Sequence, residues 1–62
     1  MALGTNLKNL RLKKGWSQEE LSNRSGVSQS FISAIESENK DLTLGIAHKL
    51  AKAFEISLQE LI

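Results

Sequence analysis

The sequence predicts an all-α domain of five short helices, and three observations carry that prediction. Proline is absent, and strand-favouring aromatics are few, with one Trp, two Phe and no Tyr. Apolar residues recur at three- and four-residue spacing, the helical period. Serines and threonines suited to helix starts alternate with glycines suited to helix ends.

The first helix is expected around Leu3, Leu7 and Leu10, which are spaced four and three apart on one face. Leu12 lies off that stripe and is expected at the edge of the core. Gly15 stops the run, in the left-handed position that follows many helices. Ser17 then starts a second helix, with Glu20 three residues on to complete a capping box and Trp16 to staple against Leu21. That helix runs from Gln18 to about Ser25, where Gly26 interrupts it.

Ser28 caps a third helix, and Val27 and Ile32 repeat the staple spacing. Ile32 and Ile35 share one face, whereas Gln29, Ser30, Ser33 and Ser37 are polar. The helix is expected to end near Ser37 in the polar loop Glu38-Asn39-Lys40-Asp41. Asp41 or Thr43 starts the fourth helix. Its stripe of Ala47, Leu50, Ala51 and Phe54 follows the i, i+3, i+4, i+7 pattern of a buried face, which leaves His48, Lys49 and Lys52 mostly off it. The last helix is short, with Ser57 as cap, Glu60 completing a second capping box and Ile56 stapling to Leu61.

Length bounds the rest. Sixty-two residues make one domain, 1–62, that buries only about 60% of its unfolded surface. With no cysteine and a single histidine, neither a disulfide nor a metal cage is available to stabilise it. No cofactor or metal is implied. No apolar run approaches the roughly 18 residues of a membrane span. The start lacks a charged leader and an apolar segment behind it, so a cytoplasmic location is expected. The abrupt end at Ile62 fits either a very small regulator or an N-terminal domain whose C-terminal partner lies outside this chain.

Net charge is only +1, but the charge is unevenly spread. Up to Ile35 the chain carries Lys8, Arg11, Lys13, Lys14 and Arg24 against Glu19 and Glu20. Beyond it, Lys40, Lys49 and Lys52 face Glu36, Glu38, Asp41, Glu55 and Glu60. A one-faced polyanion binder needs such a skew, although charge alone is better explained by a solvated first helix.

The informative segment is Gln18 to Glu36. Two short helices joined by a glycine turn form a helix-turn-helix. Gly26 takes a conformation a side chain would penalise, Ser22 is small where the two helices meet, and Leu21, Val27, Ile32 and Ile35 anchor the second from beneath. Its other face is left to enter a major groove.

Three runs carry a family resemblance: Ser17-Gln18-Glu19-Glu20-Leu21, Gly26-Val27-Ser28-Gln29-Ser30 and Ile32-Ser33-Ala34-Ile35-Glu36. They resemble the Cro/cI-type (XRE-family) helix-turn-helix, and the run Gln29 to Ala34 is similar to the recognition helix of lambdoid phage repressors. Leu10-Arg11, Gly15 and Leu50-Ala51-Lys52-Ala53-Phe54 extend the resemblance over nearly the whole chain. It departs from the family where Glu38 replaces a frequent glycine, Leu42 a frequent proline, and Ser22 the usual alanine.

The resemblance implies a compact bundle of the lambda-repressor-like type and sequence-specific binding of double-stranded DNA, as a transcriptional regulator and more naturally a repressor. It makes Gln29 the leading base reader, and a glutamine amide does bond adenine N6 and N7 bidentately. Ser30, Ser33 and Ala34 match further base-contacting positions, and Phe31 either contacts a thymine methyl or the groove wall or supplements the core. Gln18, Ser28, Asn39 and Lys40 are the expected phosphate contacts, with Gln18 also bracing Gln29. Lys8, Lys13 and Lys14 add weaker attraction. Arg11 and Glu36 are expected as an internal ion pair. A domain this small should work as a homodimer on a palindrome, with recognition helices one turn apart, about 34 Å. Leu58, Leu61 and Ile62 are then either part of the dimer face or closing residues of the core.

Two other classes compete. An enzyme would need a paired acid site, a phosphate-cradling loop or a partner for His48, and none is evident. An interaction module, such as an antitoxin or adaptor, can use the same fold without reading DNA, but it has no need of an exposed Gln29-Ser30 pair.

Overall fold

A computed structural model of the chain describes residues 3–61, with the side chain of Leu3 excluded. Five helices follow in order: α1 Leu3–Lys13, α2 Gln18–Ser25, α3 Gln29–Glu36, α4 Leu44–Phe54 and α5 Leu58–Leu61. No strand occurs among the described residues. α1 and α2 both pack on α3, α2 also packs on α4, and α5 bridges α4 and α1.

One core joins all five. Leu7 of α1, Leu21 of α2, Ile32 and Ile35 of α3, Leu50 and Phe54 of α4 and Leu61 of α5 are all 2% exposed or less. Val27, in the turn between α2 and α3, and Ala47 and Ala51 complete it. Burying each large side chain contributes about 1.5–3 kcal/mol, which such a small domain cannot spare.

The buried face of α1 is wider than the expected leucine stripe, of which Leu7 is buried, Leu10 packs on the core and the side chain of Leu3 lies outside the described residues. That face runs Gly4, Leu7, Arg11, at i, i+3 and i+7, while Leu10 is only half-buried. Leu12 is 56% exposed and does not reach the core edge. The reason is a backbone crossing: a Cβ on Gly4 would collide with the carbonyl oxygen of Ile35 and lie 3.0 Å from that of Glu36. α1 can approach the end of α3 this closely only with glycine at the crossing.

Helix ends follow a common device. After α1, Gly15 donates to Leu12 O (3.0 Å) and Trp16 to Arg11 O (3.0 Å). After α3, Glu38 donates to Ile35 O (3.0 Å) and Asn39 to Ala34 O (2.8 Å). After α4, Glu55 donates to Lys52 O (3.1 Å) and Ile56 to Ala51 O (3.0 Å). Each is a Schellman motif, which satisfies the last carbonyls by placing one residue in the left-handed region. That residue is Gly15 at φ 75°, but Glu38 at 65° and Glu55 at 58°. α2 ends in the simpler left-handed motif, with Gly26 at φ 76° donating to Ser22 O (2.9 Å).

At the starts, the hydroxyls of Ser17, Ser28 and Thr43 accept from the third residue of their helices, Glu20, Phe31 and Ile46. Ser57 and Glu60 form the reciprocal box expected of them. The box at Ser17 is only half made, because the Glu20 carboxylate turns away to accept from Arg24 Nε at 2.8 Å. Arg24 lies one turn on and also sits 4.4 Å from the centroid of Trp16, so the guanidinium outcompetes the Ser17 amide. Trp16 in turn stacks on Phe54, with centroids 5.3 Å apart and an interplanar angle of 12°.

Leu61 is 1% exposed, so it closes the core and is not available to a dimer face. The Asn6 amide donates to its carbonyl and ties α5 to α1. Leu58 is half-buried against the same core, and Ile62 lies outside the described residues.

Candidate nucleic-acid interface

α3 is eight residues long, about 12 Å, which suits a major groove about 12 Å wide. One face is fixed to the core by Ile32 and Ile35. On the opposite side Gln29, Ser30 and Ser33 are exposed, and Ala34 and Phe31 are half-buried at its margins. The N-cap geometry orients this face: Ser28 Oγ accepts from Phe31 N at 3.1 Å, and its own proton remains free to donate outward.

Beneath the far end of α3 lies a polar anchor. Arg11 Nε donates to Glu36 Oε2 at 2.8 Å and Arg11 Nη2 to Glu36 Oε1 at 3.0 Å. This fork is the strong bidentate arrangement, and the side chains are only 9% and 5% exposed. Arg11 Nη1 also donates to Trp16 O at 2.8 Å, so one guanidinium joins α1, the α1–α2 turn and α3. Burial pushes the Glu36 carboxyl up, but hydrogen bonds from Arg11 and Gln18 and the charges of Arg11 and Lys8 outweigh it and hold it below its ordinary value. The Glu36 hydrogen bond raises the Arg11 guanidinium against the opposing effect of burial.

Gln18, the first residue of α2, donates Nε2 to Glu36 Oε1 at 3.1 Å. It does not brace Gln29 in this structure. The Glu36 oxygen is ionised and already positioned by Arg11, so it is the better acceptor for a neutral amide. Lys8, Arg11, Gln18, Ser33, Glu36 and Ser37 line an open cleft of about 270 Å³ beside the exposed face. The sequence marks the Arg11–Glu36 pair, Lys8, Gln18 and Ser33 individually but not their convergence, which depends on α1 crossing α3 at Gly4.

On the other side, the α3–α4 connection holds Asn39 and Lys40. Asn39 Nδ2 donates to Ser37 Oγ at 3.0 Å, and Ser37 Oγ donates to Ala34 O at 3.1 Å. Both Asn39 and Lys40 are exposed. Gln18, Ser28, Asn39 and Lys40 therefore flank α3 from both ends. Among the described residues, no group of three His, Cys, Asp or Glu is placed to hold a metal ion, and no helix is long and apolar enough to cross a membrane.

Comparison with known proteins agrees with this architecture. A family model described as helix-turn-helix matches residues 7–61. The chain is 33% identical over 60 residues to a hypothetical transcription factor of Neisseria meningitidis serogroup B, covering 97% of this chain and 57% of that protein. It is 36% identical over 61 residues to the competence pilus inhibition repressor of Acinetobacter baylyi, covering 98% of this chain and 56% of that one. It thus spans little more than half the length of these two relatives. Among solved structures, the restriction-modification controller protein C.AhdI from Aeromonas hydrophila superposes with a TM-score of 0.94 at 36% identity, covering 98% of this chain and 92% of that one. The chain belongs to the Cro/cI-type (XRE) helix-turn-helix family, a family of DNA-binding transcriptional regulators and not of enzymes.

Proposed function

We propose that the chain reads double-stranded DNA sequence-specifically by laying the outer face of α3 in the major groove, as one half of a homodimeric, cytoplasmic transcriptional repressor on a palindromic operator. The observation that carries this reading is the pairing of a wholly buried Ile32–Ile35 face with an exposed Gln29-Ser30-Ser33 face on a helix of groove width. Gln29 is the leading base reader, through a bidentate amide contact to adenine. Ser30 and Ser33 supply weaker hydrogen bonds, and Ala34 offers a methyl surface to thymine.

Phosphates are the natural partners of the flanking groups. The Ser28 hydroxyl has a free proton, the Gln18 and Glu19 amides lie at an open helix start, and Asn39 and Lys40 extend from the loop. The repressor role draws support from the Acinetobacter relative, named as a repressor. Dimerisation is favoured by the small reach of one eight-residue helix, since one such helix contacts only a few base pairs. With Leu61 committed to the core, the dimer face is sought around the half-buried Leu58.

Selection from a random-sequence duplex pool tests the proposal. Recovery of a palindromic motif with half-sites one turn apart is expected. Enrichment of no motif would overturn DNA reading, and a monomer in sedimentation on the selected operator would overturn the dimer.

A further inference from the structure

Lys40 is the one cation of the α3–α4 connection, and its ammonium has a defined place. Nζ lies 5.3 Å from the centroid of the Phe31 ring, inside the roughly 6 Å at which an aromatic face attracts a cation. Phe31 is itself well held: it is half-buried, packs against the core and donates its N–H to the Ser28 cap. The backbone leading to Lys40 is fixed by the bonds from Glu38 to Ile35 and from Asn39 to Ala34. Glu38 and Asp41 flank Lys40 in sequence, yet among the described residues no carboxylate lies within ion-pair distance of it. Its charge is thus positioned at both ends of the side chain and left without an anion.

We propose that Phe31 is a positioning residue for Lys40: the ring holds the ammonium ready for a DNA phosphate, so Phe31 contributes affinity that is independent of base sequence. The inference rests on the DNA-binding reading above. It assigns Phe31 a task distinct from base contact, and it explains an aromatic at the margin of a helix whose other outward residues are small or polar. A lysine free in solvent must be ordered when it meets the phosphate, whereas one resting on a ring is partly ordered beforehand. A cation–π contact at an exposed site corresponds to about a two- to five-fold change in affinity.

The experiment is a double-mutant cycle on the selected operator and on an unrelated duplex, with binding followed by fluorescence anisotropy. Phe31→Leu should weaken both duplexes by the same two- to five-fold factor, Phe31→Tyr should restore binding, and Phe31→Leu should cost nothing further in a Lys40→Met background. In the free wild-type protein, the Lys40 ε-methylene protons should resonate upfield through the ring current of Phe31, and return to ordinary positions in Phe31→Leu. An undiminished loss in the Lys40→Met background, or a loss confined to one base position, would overturn the inference while leaving DNA binding intact. If the wild type selects no motif and binds neither duplex, DNA reading falls and takes the inference with it. Should Phe31→Leu not fold, ordinary Lys40 shifts in the wild type are enough to reject the proposal.

Discussion

Two glutamates occupy positions that glycine fills elsewhere in the same chain, and replacing them is predicted to stabilise the fold. Glu38 and Glu55 sit at φ 65° and 58° at the ends of α3 and α4. The left-handed region costs a residue with a Cβ about 1–2 kcal/mol. Glycine escapes that cost but adds freedom to the unfolded chain, which returns about 0.4–1 kcal/mol. The net gain is about 0.5–1 kcal/mol per site. Neither side chain makes a hydrogen bond or ion pair among the described residues, so no contact is lost. Removing a negative charge just past a helix C-terminus acts in the same direction.

A 62-residue domain unfolds with an entropy of roughly 0.13 kcal/mol per kelvin. Each of Glu38→Gly and Glu55→Gly should therefore raise Tm by about 4–8 °C, read by circular dichroism at several protein concentrations to separate folding from association. The mirror experiment uses Gly15→Ala and Gly26→Ala. A Cβ at either glycine would meet nothing within 4 Å, so their loss of about 1 kcal/mol would be conformational alone. Glu38→Gly should also tighten DNA binding, because it removes an anion from the loop that carries Lys40. Glu55→Gly lies outside that loop and should stabilise without this gain. Melting at or below the parent for both glutamate variants would refute the reasoning.

Gly4→Ala should cost about 1–3 kcal/mol in urea denaturation, since the added methyl overlaps the Ile35 carbonyl and must push α1 off α3; unchanged stability would show that the crossing is looser. Arg24→Ala removes the guanidinium from Trp16 and from Glu20, at an expected cost of about 0.5–1 kcal/mol given its exposure, with a change in the emission of the chain's single Trp. Gln29→Ala should cost about 1–3 kcal/mol of operator binding and relax preference at one base; an equal loss on all duplexes would remove its reading role. Glu36→Gln should destabilise by about 2–3 kcal/mol at neutral pH, because Arg11 loses its counter-charge. Glu36 is held below its ordinary value in the folded state, so the stability it contributes is complete above the unfolded value of about 4.3 and is lost as pH falls from there through the folded value. Parent and variant melting curves should therefore converge in acid, and parallel curves would contradict this.

Much of the fold was legible because its signals are local. Caps at Ser17, Ser28 and Ser57, glycine stops at Gly15 and Gly26, and the Ala47–Phe54 stripe each act within one turn of chain. What sequence missed depends on distance. The leucine period of α1 points to Leu7 and Leu10, which do meet the core, but period alone cannot tell that a glycine is buried by a backbone crossing; the i, i+3, i+7 relation of Gly4, Leu7 and Arg11 is the available signal. The capping-box pattern pairs Glu20 with Ser17, whereas its partner Arg24 is favoured by a ring brought from the preceding turn. An apolar residue such as Leu61 fits core and dimer face equally in sequence, and only the packing of α5 on α1 and α4 decides between them.

The polar site shows the same division in sharper form. Residue types along α3 predict which face is polar, because Ile32 and Ile35 fix the other face to the core. They do not predict where Gln18 points. Its amide is shared with a carboxylate that Arg11 has already oriented, so the α2 start, the α3 end and α1 are joined through one anion. A phosphate arriving at α2 would compete with Glu36 for the Gln18 amide and would meet Lys8 and Arg11 in the same cleft. On the proposed DNA-binding reading, fold stability and phosphate contact would draw on the same Gln18 amide. A substitution at Gln18 should therefore lower both the melting temperature and the affinity for every duplex alike, whereas one at Gln29 should weaken operator binding and relax base preference while leaving the melting temperature unchanged.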